Sequence, residues 1–451
     1  MTVSVVILAA GQGTRMQSDL PKVLHQVGGA PLLSHAMTSA AALAPSRLVV
    51  VAGHGAEDVT RAALAQDPEA KIVLQTAQLG TGHAVQQAQE ALADVDGDVI
   101  VLYGDTPFVQ PETLRAMRDA RQSHDVVVLG FEARDPGRYG RLVMTGDDLV
   151  EIVEYKDATE AQRAITLCNS GVIAADRALM FDLLGQIKND NASGEYYLTD
   201  LPALARARGL TATAVTCTEA ETLGVNTRAQ LAEAEAFFQS RMRRQALETG
   251  VTLTAPDTVY FCLDTVIGRD ATIEPNVVFG PGVTIESGAS IRAFSHLEGC
   301  HVSRGATVGP YARLRPGAEL AEDSHVGNFV EIKNAILHEG VKANHLSYIG
   351  DAEVGEKTNI GAGTITCNYD GVFKHRTTIG KQAFIGSNTM LVAPVTVGDQ
   401  AMTASGSVIT KDVGDGALAM SRVAQSEKPG MARKLLDMLR AKKKKQQDGS
   451  V

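Results

Sequence analysis

"TIGKQAFIGSNTMLVAPVTVGDQA", residues 378–401, carries an apolar side chain at every sixth position. The four positions are Ile379, Ile385, Leu391 and Val397, and glycine follows three of them. A period of six matches neither the 3.6-residue turn of an α-helix nor the two-residue repeat of a single strand. It fits a coil of three short strands whose corner residues turn inward. The stretch therefore predicts a parallel β-helix built from hexapeptides.

The same period runs through most of the second half of the chain, with one five-residue step after Leu297 and a gap after Ile332. The registered positions are Ile267, Ile273, Phe279, Ile285, Ile291, Leu297, Val302, Val308, Leu314, Leu320, Val326, Ile332, Ile379, Ile385, Leu391, Val397, Thr403 and Ile409. We predict a β-helix domain over residues 251–451, with a basic C-terminal tail. Residues 336–349 and 361–378 fall out of the period and are predicted to leave the coil as loops, where functional side chains concentrate.

Residues 3–217 show a different pattern, in which short apolar runs alternate with amphipathic helical segments. Runs such as "SVVILAA", "RLVVVAGH" and "DVIVLYGD" are each followed by a segment of this kind. Such alternation is typical of a mostly parallel sheet covered by helices on both faces. Ligands bind such sheets at the carboxyl ends of the strands. We therefore predict an α/β, Rossmann-like domain over residues 1–226.

A long helix is predicted between the two halves. Residues 227–250 place Leu231, Ala234, Phe238 and Met242 at helical spacing, with charged residues elsewhere. The pattern predicts a linker helix whose apolar stripe could pack on either neighbour.

Composition bears on whether the protein contacts a membrane and on the compartment in which it works. Of the 451 residues, 44% are hydrophobic but only 4% are aromatic, and there is no tryptophan. No apolar stretch of about 18 residues is present, and no secretory signal is visible, so integral membrane contact is not expected. The five cysteines form no CxxC pair, which predicts reduced thiols and a cytoplasmic location.

Charge is distributed unevenly along the chain. Residues 433–445 contain seven Lys or Arg and one acid, so a net charge of −10 leaves −16 on the remainder. An acidic body argues against a nucleic acid partner. The lysine run at 442–445 is interpreted as a solvated tail rather than as a nucleic-acid arm.

A glycine-rich turn follows the first predicted strand, in "ILAAGQGTRM" at residues 7–16. Only two glycines of a GxGxxG dinucleotide fingerprint are present, and no P-loop GK[ST] follows. An ordinary strand–helix turn is one interpretation. Arg15 and Lys22 favour another, because two cations beside free backbone N–H groups suit a triphosphate that leaves as pyrophosphate.

Two further side chains allow a chemical and a structural interpretation each. Asp105 ends an apolar run at "YGD", where a carboxylate is a natural Mg²⁺ ligand or the N-cap of the next helix. His345 lies in the break of the repeat, where it is either a general base working near neutral pH or a solvated loop residue. The residues alone leave both choices open.

Ordered motifs connect these observations to a known family. The first half contains, in order, "LAAGQGTRMQSDLPKVL" (8–24), "LQTAQLGTGHA" (74–84), "LYGDTP" (102–107), "YGRLV" (139–143), "VEYKDA" (153–158), "CNSGV" (168–172), "GEYYLTD" (194–200) and "GVNTR" (224–228). The β-helix adds "GNFVEIKNA" (327–335), "NHLSYIGD" (344–351) and "NIGAGTITCNYDG" (359–371). The first set resembles sugar-1-phosphate nucleotidyltransferases. Both together, from residue 3 to about 425, resemble the bacterial bifunctional N-acetylglucosamine-1-phosphate uridyltransferases/glucosamine-1-phosphate acetyltransferases.

The resemblance implies a Rossmann-like uridylyltransferase domain followed by a left-handed hexapeptide parallel β-helix that transfers acetyl groups. For the uridylyl site it implies Mg²⁺ on Asp105 and Asn226. It implies nucleotide contacts from Leu8, Ala9, Ala10, Gly11, Arg15, Lys22, Gln75, Gly80, Thr81, Tyr103 and Gly104. Gly140, Glu154 and Asn169 would hold the N-acetylglucosamine moiety. The Gln75 amide is expected to match the donor and acceptor edge of uracil.

For the acetyl site the resemblance implies that His345 is the catalytic base. Glu331 is expected to orient its imidazole. Sugar-phosphate contacts are implied for Arg315, Lys333, Tyr348 and Asn359, and acetyl-CoA contacts for Ala362, Asn368, Tyr369, Ser387, Ser405 and Arg422. Ser387 is also a plausible donor to the thioester oxyanion. Ser405 stands where the family commonly has alanine, so its contact is expected through the backbone.

Spacing adds one expectation, because Arg315 and Lys333 lie eighteen residues apart, which is one full coil of three hexapeptides. Their side chains should stack and suit a phosphate, although a surface ion pair with Glu331 or Glu319 is the alternative.

The implied substrates are UTP, acetyl-CoA, glucosamine-1-phosphate and N-acetylglucosamine-1-phosphate. The implied assembly is a homotrimer, and the implied pathway supplies peptidoglycan and lipopolysaccharide synthesis with UDP-N-acetylglucosamine. Two alternatives remain. The β-helix could serve only oligomerisation or regulation of a nucleotidyltransferase, or it could be an assembly scaffold without chemistry.

Overall fold

A computed structural model describes residues 2–447 and divides the chain into two compact units. The first unit runs to Val266 and includes Val278–Gly282, and the second comprises Ile267–Val277 and the chain from Val283 onward. Each unit is described by itself below.

The first unit is built on a twisted sheet with helices on both faces. Its strands are β1 (Val3–Ala9), β2 (Gln26–Val27), β3 (Ala30–Pro31), β4 (Arg47–Ala52), β5 (Lys71–Leu74), β6 (Asp98–Tyr103), β7 (Val126–Glu132), β8 (Arg141–Thr145), β9 (Asp148–Val153), β10 (Leu167–Asp176), β11 (Ala212–Cys217) and β12 (Thr252–Leu253). Its helices are α1 (Leu32–Ala41), α2 (Ala56–Gln66), α3 (Thr81–Gln86), α4 (Pro111–Ala120), α5 (Glu160–Arg163), α6 (Arg177–Leu184), α7 (Leu201–Ala207) and α8 (Arg228–Glu248).

The main sheet of this unit has the order β11-β7-β10-β6-β1-β4-β5. Strands β6, β1, β4 and β5 are parallel neighbours, whereas β10 runs antiparallel to β6 and β7. Alternate residues of β1 pack into opposite cores, with Val6 on one face of the sheet and Ile7 on the other. The predicted α/β, Rossmann-like sheet is confirmed, with an antiparallel strand added.

Helix α8 packs onto the first unit. Phe238 is fully buried and joins a cluster with Leu32, Phe108 and Val225, and Leu231 packs against the same cluster. The Gln239 amide exchanges two hydrogen bonds of 2.8 Å with the backbone of Phe261. The apolar stripe of this helix, which the sequence left free to pack on either side, therefore has its partner within the first unit.

The repeat region consists of very short parallel strands. They are β13 (Val266–Ile267), β14 (Thr272–Ile273), β15 (Val278–Phe279), β16 (Val283–Ile285), β17 (Ser290–Ile291), β18 (His296–Leu297), β19 (Cys300–Val302), β20 (Thr307–Val308), β21 (Arg313–Leu314), β22 (Ala318–Leu320), β23 (His325–Asn328), β24 (Glu331–Leu337), β25 (Lys342–His345), β26 (Tyr348–Val354), β27 (Asn359–Ile360), β28 (Ile365–Cys367), β29 (Thr377–Ile379), β30 (Phe384–Ile385), β31 (Met390–Val392), β32 (Val395–Val397), β33 (Met402–Thr403), β34 (Val408–Ile409) and β35 (Leu418–Ala419).

The six-residue positions are the inward-facing corners of the coil. Every registered residue from Ile273 to Ile409 is buried, and Ile267 is half-buried. Strands of successive coils pair in parallel, as in Val302 opposite Leu320. The predicted parallel β-helix is confirmed.

One of the two predicted loops is wrong. Residues 336–349 stay in the coil, because Leu337, Ala343 and Ile349 all point into the core. The six-residue period is interrupted here because the step from Ile332 to Leu337 has five residues, and alanine fills the next corner. In the second segment, β28 remains in the coil, and only residues 368–376 project from it, with Phe373 67% exposed.

Helix α9 (Met431–Gln447) follows the last coil and has no buried residue. Across residues 2–447, no helix is both long and apolar enough to cross a membrane. Cys168, Cys217, Cys300 and Cys367 are free thiols.

Candidate active sites

The first candidate site forms where the chain leaves β1. Gly13 has a φ of +63°, and a Cβ there would lie 2.5 Å from Cβ of Lys22. Glycine therefore allows the Lys22 segment to fold back against the turn. The turn that suggested a phosphate site is thus shaped to bring this lysine to the carboxyl end of the strand.

Lys22 is the centre of a polar cluster at the ends of the strands. Its ammonium pairs with the carboxylate of Asp105, which follows β6, and donates to Asn226 Oδ1 at 3.0 Å. Arg15 donates to the same Asn226 oxygen at 2.9 Å. The Val225 N–H donates to the carbonyl of Asp105 at 2.9 Å, which joins the two segments.

Whether a divalent cation fits in this cluster depends on the oxygen atoms that the cluster offers. Asp105 and Asn226 both turn hard oxygen atoms toward the Lys22 ammonium, and the Asn226 oxygen also accepts from Arg15. Carboxylate and amide oxygens are the donors that Mg²⁺ takes in proteins. The donor set therefore fits a divalent metal, and these are the two residues for which the resemblance implied one.

A cavity of about 320 Å³ opens beside this cluster. Its lining contains the predicted nucleotide residues Leu8, Ala9, Ala10, Gly11, Lys22, Gln75, Gly80, Thr81, Tyr103 and Asp105. Gly104 lies beneath them, and its N–H donates to the Leu8 carbonyl at 2.9 Å. The Nε2 atom of Gln75 lies 3.1 Å from both the Gly80 carbonyl oxygen and His83 Nδ1. Gln75 was expected to pair with uracil through both its amide NH₂ group and its carbonyl oxygen. Because the NH₂ group makes these contacts within the protein, only the carbonyl oxygen remains available.

An adjoining cavity of about 680 Å³ contains the three residues predicted to hold the sugar, Gly140, Glu154 and Asn169. Thr81 and Tyr103 line both cavities. Burial raises the pKa of the Glu154 carboxyl, and Thr199 donates to it at 3.4 Å. The two cavities thus adjoin and share part of their lining.

Several lining residues were not singled out from the sequence. Gln78 donates to the Ala10 carbonyl at 2.8 Å, Thr199 contacts Glu154, and Glu195 lines both cavities. Gln78 lies in the motif "LQTAQLGTGHA", and Glu195 and Thr199 lie in "GEYYLTD". Their place in these motifs was the sequence signal that could have identified them.

The second candidate site lies on the β-helix around His345, in β25. Its Nδ1 lies 3.0 Å from Oδ1 of Asn328, which is opposite it in β23 of the preceding coil. Glu331 instead accepts a hydrogen bond from Arg315 at 2.8 Å. The expected orienting role of Glu331 is therefore wrong in this structure, and Asn328 holds the imidazole.

Two cations lie at adjacent positions of neighbouring coils. Leu314 pairs with Ile332 in the parallel ladder, so Arg315 and Lys333 follow at adjacent positions of neighbouring coils. This confirms the stacking expected from their spacing. Arg315 also forms the ion pair with Glu331 that the sequence offered as the alternative. Tyr348 lies opposite Glu331 in the next coil, and Asn359 pairs with Lys342 of the His345 strand.

The predicted acetyl-CoA residues form a strip along one edge of the coils. The Asn388 N–H donates to the Ala362 carbonyl at 2.7 Å, and the Gly406 N–H donates to the Ser387 carbonyl at 2.8 Å. Arg422 donates to the Ser405 carbonyl at 2.8 Å. Asn368 and Tyr369 begin the projecting loop 368–376. The strip therefore unites three successive coils.

Glycine explains how closely these coils stack. A Cβ on Gly361 would lie 2.5 Å from the Ser387 nitrogen, and one on Gly386 would lie 2.5 Å from the Ser405 nitrogen. The glycine that follows the apolar corner in the sequence is thus required by the approach of the next coil.

The fold and the two sites define a nucleotidyltransferase-like domain joined to a hexapeptide β-helix. Residues 5–193 match the MobA-like NTP transferase domain, and residues 264–299 match the bacterial transferase hexapeptide repeat.

Known proteins extend this likeness to the whole chain. The Bifunctional protein GlmU of a Ruegeria species is 70% identical, with 98% of this chain and 99% of the relative covered. That of Roseobacter denitrificans is 69% identical, with 100% of each chain covered. A solved UDP-glucose pyrophosphorylase, complexed with UDP-glucose, covers 53% of this chain and 100% of its own, with a TM-score of 0.43 and 18% identity. The chain belongs to the GlmU family of bifunctional proteins.

Proposed function

We propose that the chain makes UDP-N-acetylglucosamine in two steps. Residues 251–451 transfer an acetyl group from acetyl-CoA to glucosamine-1-phosphate. Residues 1–226 then transfer a uridylyl group from UTP to N-acetylglucosamine-1-phosphate and release pyrophosphate, and the helix at 227–250 joins the two. The presence of two separate polar sites, one around Lys22 and one around His345, is the observation that carries this proposal.

In uridylyl transfer, an oxygen of the sugar phosphate attacks the α-phosphorus of UTP and pyrophosphate leaves. Such reactions depend on charge neutralisation and in-line positioning rather than on covalent help. Lys22 and Arg15 neutralise the phosphates, while the cavity lined by Gln75 and Gly80 holds the base. Glu154 and Asn169 orient the N-acetylglucosamine moiety in the adjoining cavity.

Mg²⁺ is the metal we propose for this site, held by Asp105 and Asn226. When bound, it supplies positive charge to the phosphate oxygens. Lys22 contacts both residues, so its ammonium would have to share these oxygens with the ion or turn toward the phosphates.

In acetyl transfer, the amine nitrogen of glucosamine-1-phosphate attacks the thioester carbonyl. The carbon–sulfur bond breaks and coenzyme A leaves as its thiolate. Unprotonated His345 accepts the proton from the nitrogen, with Asn328 fixing the ring through Nδ1. Arg315, Lys333, Tyr348 and Asn359 hold the sugar phosphate. Acetyl-CoA lies along the strip of Ala362, Ser387 and Ser405, where Ser387 faces the developing oxyanion.

Self-association into a trimer is part of the proposal. Phe294, Tyr311, Phe329 and Leu346 form a column on successive coils, and each is about half exposed. The first two rings stack with centroids 4.8 Å apart, and the next pair lies 5.4 Å apart. Leu346 directly follows His345. An exposed apolar column beside the site supports a contact with a neighbouring chain, and the test is the mass of the full chain in solution.

The cytoplasm is the proposed location. The free thiols of Cys168, Cys217, Cys300 and Cys367 support it, since reducing compartments keep thiols unpaired. UTP and acetyl-CoA are also substrates of that compartment.

Two substitutions in the full-length chain test the division of labour. Asp105→Asn should abolish pyrophosphate release from UTP and leave thiol release from acetyl-CoA near the wild-type rate. His345→Ala should lower thiol release by roughly 10²–10⁴, the usual contribution of a general base, and leave pyrophosphate release intact.

The possible results separate the alternatives. If the wild-type chain with acetyl-CoA and glucosamine-1-phosphate releases no thiol, the β-helix has no such chemistry. If His345→Ala loses both activities together with its folded structure, the histidine is structural.

A further inference from the structure

Asp351 is a buried acid at the acetyl site to which no motif assigned a role. It lies in β26 and is only 8% exposed. Its carboxylate accepts hydrogen bonds from three side chains of the neighbouring coils. Asn334 donates at 2.6 Å and Lys333 at 3.2 Å, and Asn368 makes the third contact.

Two of these donors have proposed roles with different substrates. Lys333 lies on β24, in the coil on one side of Asp351, and is proposed to hold the sugar phosphate. Asn368 follows β28, in the coil on the other side, and is proposed to hold acetyl-CoA. One carboxylate thus contacts both substrate-binding side chains from the coil between them.

We propose that Asp351 is a positioning residue for acetyl transfer, holding the Lys333 ammonium and the Asn368 amide at a fixed separation. The two substrates would then be aligned through one anion. This inference rests on the function proposed above.

The local backbone and charge support such a role. Asp351 has a φ of +48°, a left-handed conformation that aspartate and asparagine adopt more readily than most residues. The position of this part of β26 against the next coil is also fixed, because the Gly350 N–H donates to Thr366 Oγ1 in β28 at 2.8 Å. Burial alone would raise the pKa of Asp351, but hydrogen bonds from Asn334, Asn368 and Lys333 hold it below its usual range. The side chain is therefore an anion at neutral pH.

Asp351→Asn in the full-length chain is the first test. Asparagine keeps the size and accepts the left-handed backbone, so the change removes mainly the charge. We expect KM for glucosamine-1-phosphate and KM for acetyl-CoA each to rise about tenfold, because hydrogen bonds to charged groups are lost on both sides. UTP-dependent pyrophosphate release should not change.

Glu353→Gln is the matched control. Glu353 lies on the same strand and pairs with His338 and Arg376, which have no proposed substrate contact. This variant should retain both KM values within about twofold.

Double variants separate positioning from a general loss of structure. If Asp351 acts through Lys333, Asp351→Asn should add less than twofold to KM for glucosamine-1-phosphate in a Lys333→Met chain. The same should hold for KM of acetyl-CoA in an Asn368→Ala chain. Wild-type KM values for Asp351→Asn, or its full effect in both backgrounds, would overturn the inference.

Two controls keep the test decisive. If Asp351→Asn is too unstable to assay, Asp351→Glu keeps the charge and should hold both KM values within about threefold of wild type, and a tenfold rise there contradicts the role. A wild-type chain that releases no thiol refutes the proposed function instead, whatever the variants do.

Discussion

Replacing Gly80 by alanine should damage the first site selectively, because the structure leaves no room for a Cβ there. Gly80 precedes α3 with a φ of +115° and a ψ of 176°, a region essentially restricted to glycine. A Cβ would lie 2.6 Å from the carbonyl oxygen and 2.8 Å from the nitrogen of Tyr196. Both contacts are with backbone, so a side-chain rotation cannot relieve them.

The magnitude follows from two contributions. Backbone strain in this region costs about 1–3 kcal/mol. Moving Tyr196 also weakens its backbone bonds to Leu79 and Gly82, each 2.8 Å long, and one such bond contributes about 1 kcal/mol. Gly80→Ala should therefore lower the free energy of unfolding by about 2–4 kcal/mol. At about 2–4 °C per kcal/mol for a unit of this size, Tm falls by about 4–16 °C.

Activity should fall beyond the loss of stability. The Gly80 carbonyl accepts from Gln75, and the neighbouring Thr81 lines both cavities. A displacement of this wall by even about 1 Å misaligns the reactants, so kcat/KM for uridylyl transfer should fall at least about tenfold at 25 °C. Acetyl transfer at the same temperature should stay unchanged.

Gly146→Ala is the matched control. Gly146 has a φ of +61° in the β8–β9 turn, and nothing lies within 4 Å of a Cβ added there. It should cost about 1 kcal/mol of left-handed strain, lower Tm by about 2–4 °C, and leave uridylyl transfer intact. Calorimetry and pyrophosphate release measure both variants. If Gly80→Ala matches Gly146→Ala in both readouts, the steric reasoning is refuted.

Two further predictions concern folding stability. Leu314→Ala removes a fully buried corner of the β-helix and should destabilise the chain by about 2–5 kcal/mol in urea unfolding, whereas Arg313→Ala on the exposed side should change stability by less than about 0.5 kcal/mol. Glu154→Gln should raise Tm at pH 8, because the raised pKa of this acid means that its ionised form opposes folding. The gain should shrink as pH falls through that pKa, when folded Glu154 is protonated, and a gain that grows toward acid pH would contradict the direction of the shift.

The period of six made the β-helix predictable because every corner residue obeys one steric rule. Strand β25 did not stand out by this rule, because Ala343 is small and the earlier step from Ile332 to Leu337 has five residues. Some of the side-chain pairs between coils could have been predicted from the sequence. His345 and Asn328 differ by 17 residues and Lys333 and Asp351 by 18, which is one coil in each case. Once the coil length is known, it predicts that side-chain partners on neighbouring coils lie 17 or 18 residues apart in the sequence.

The first site resists such reasoning for a topological reason. Lys22 and Asn226 are 204 residues apart, and no spacing rule connects them. They meet because parallel strands end at one edge of the sheet and because the Val225 N–H bonds to the Asp105 carbonyl. The glycine-rich turn already pointed to Lys22 and the motif resemblance supplied Asn226, while the pairing of Lys22 with Asp105 needed the folded chain.

A shared electrostatic arrangement links the two sites. Three of the four cations proposed to bind phosphate, Lys22, Arg315 and Lys333, are each held by a carboxylate, namely Asp105, Glu331 and Asp351 respectively. The fourth, Arg15, donates to the Asn226 amide oxygen instead. Pairing fixes long, flexible side chains before substrate arrives, which reduces the entropy lost on binding. It also means that a phosphate must compete for the cation with the carboxylate already paired to it, or share the cation with that carboxylate. Net electrostatic attraction therefore contributes less to the affinity for phosphate than hydrogen-bond geometry does. Specificity for a sugar phosphate should then depend on how well the substrate matches these preset cations, which is why a carboxylate such as Asp351 can govern binding without touching the substrate.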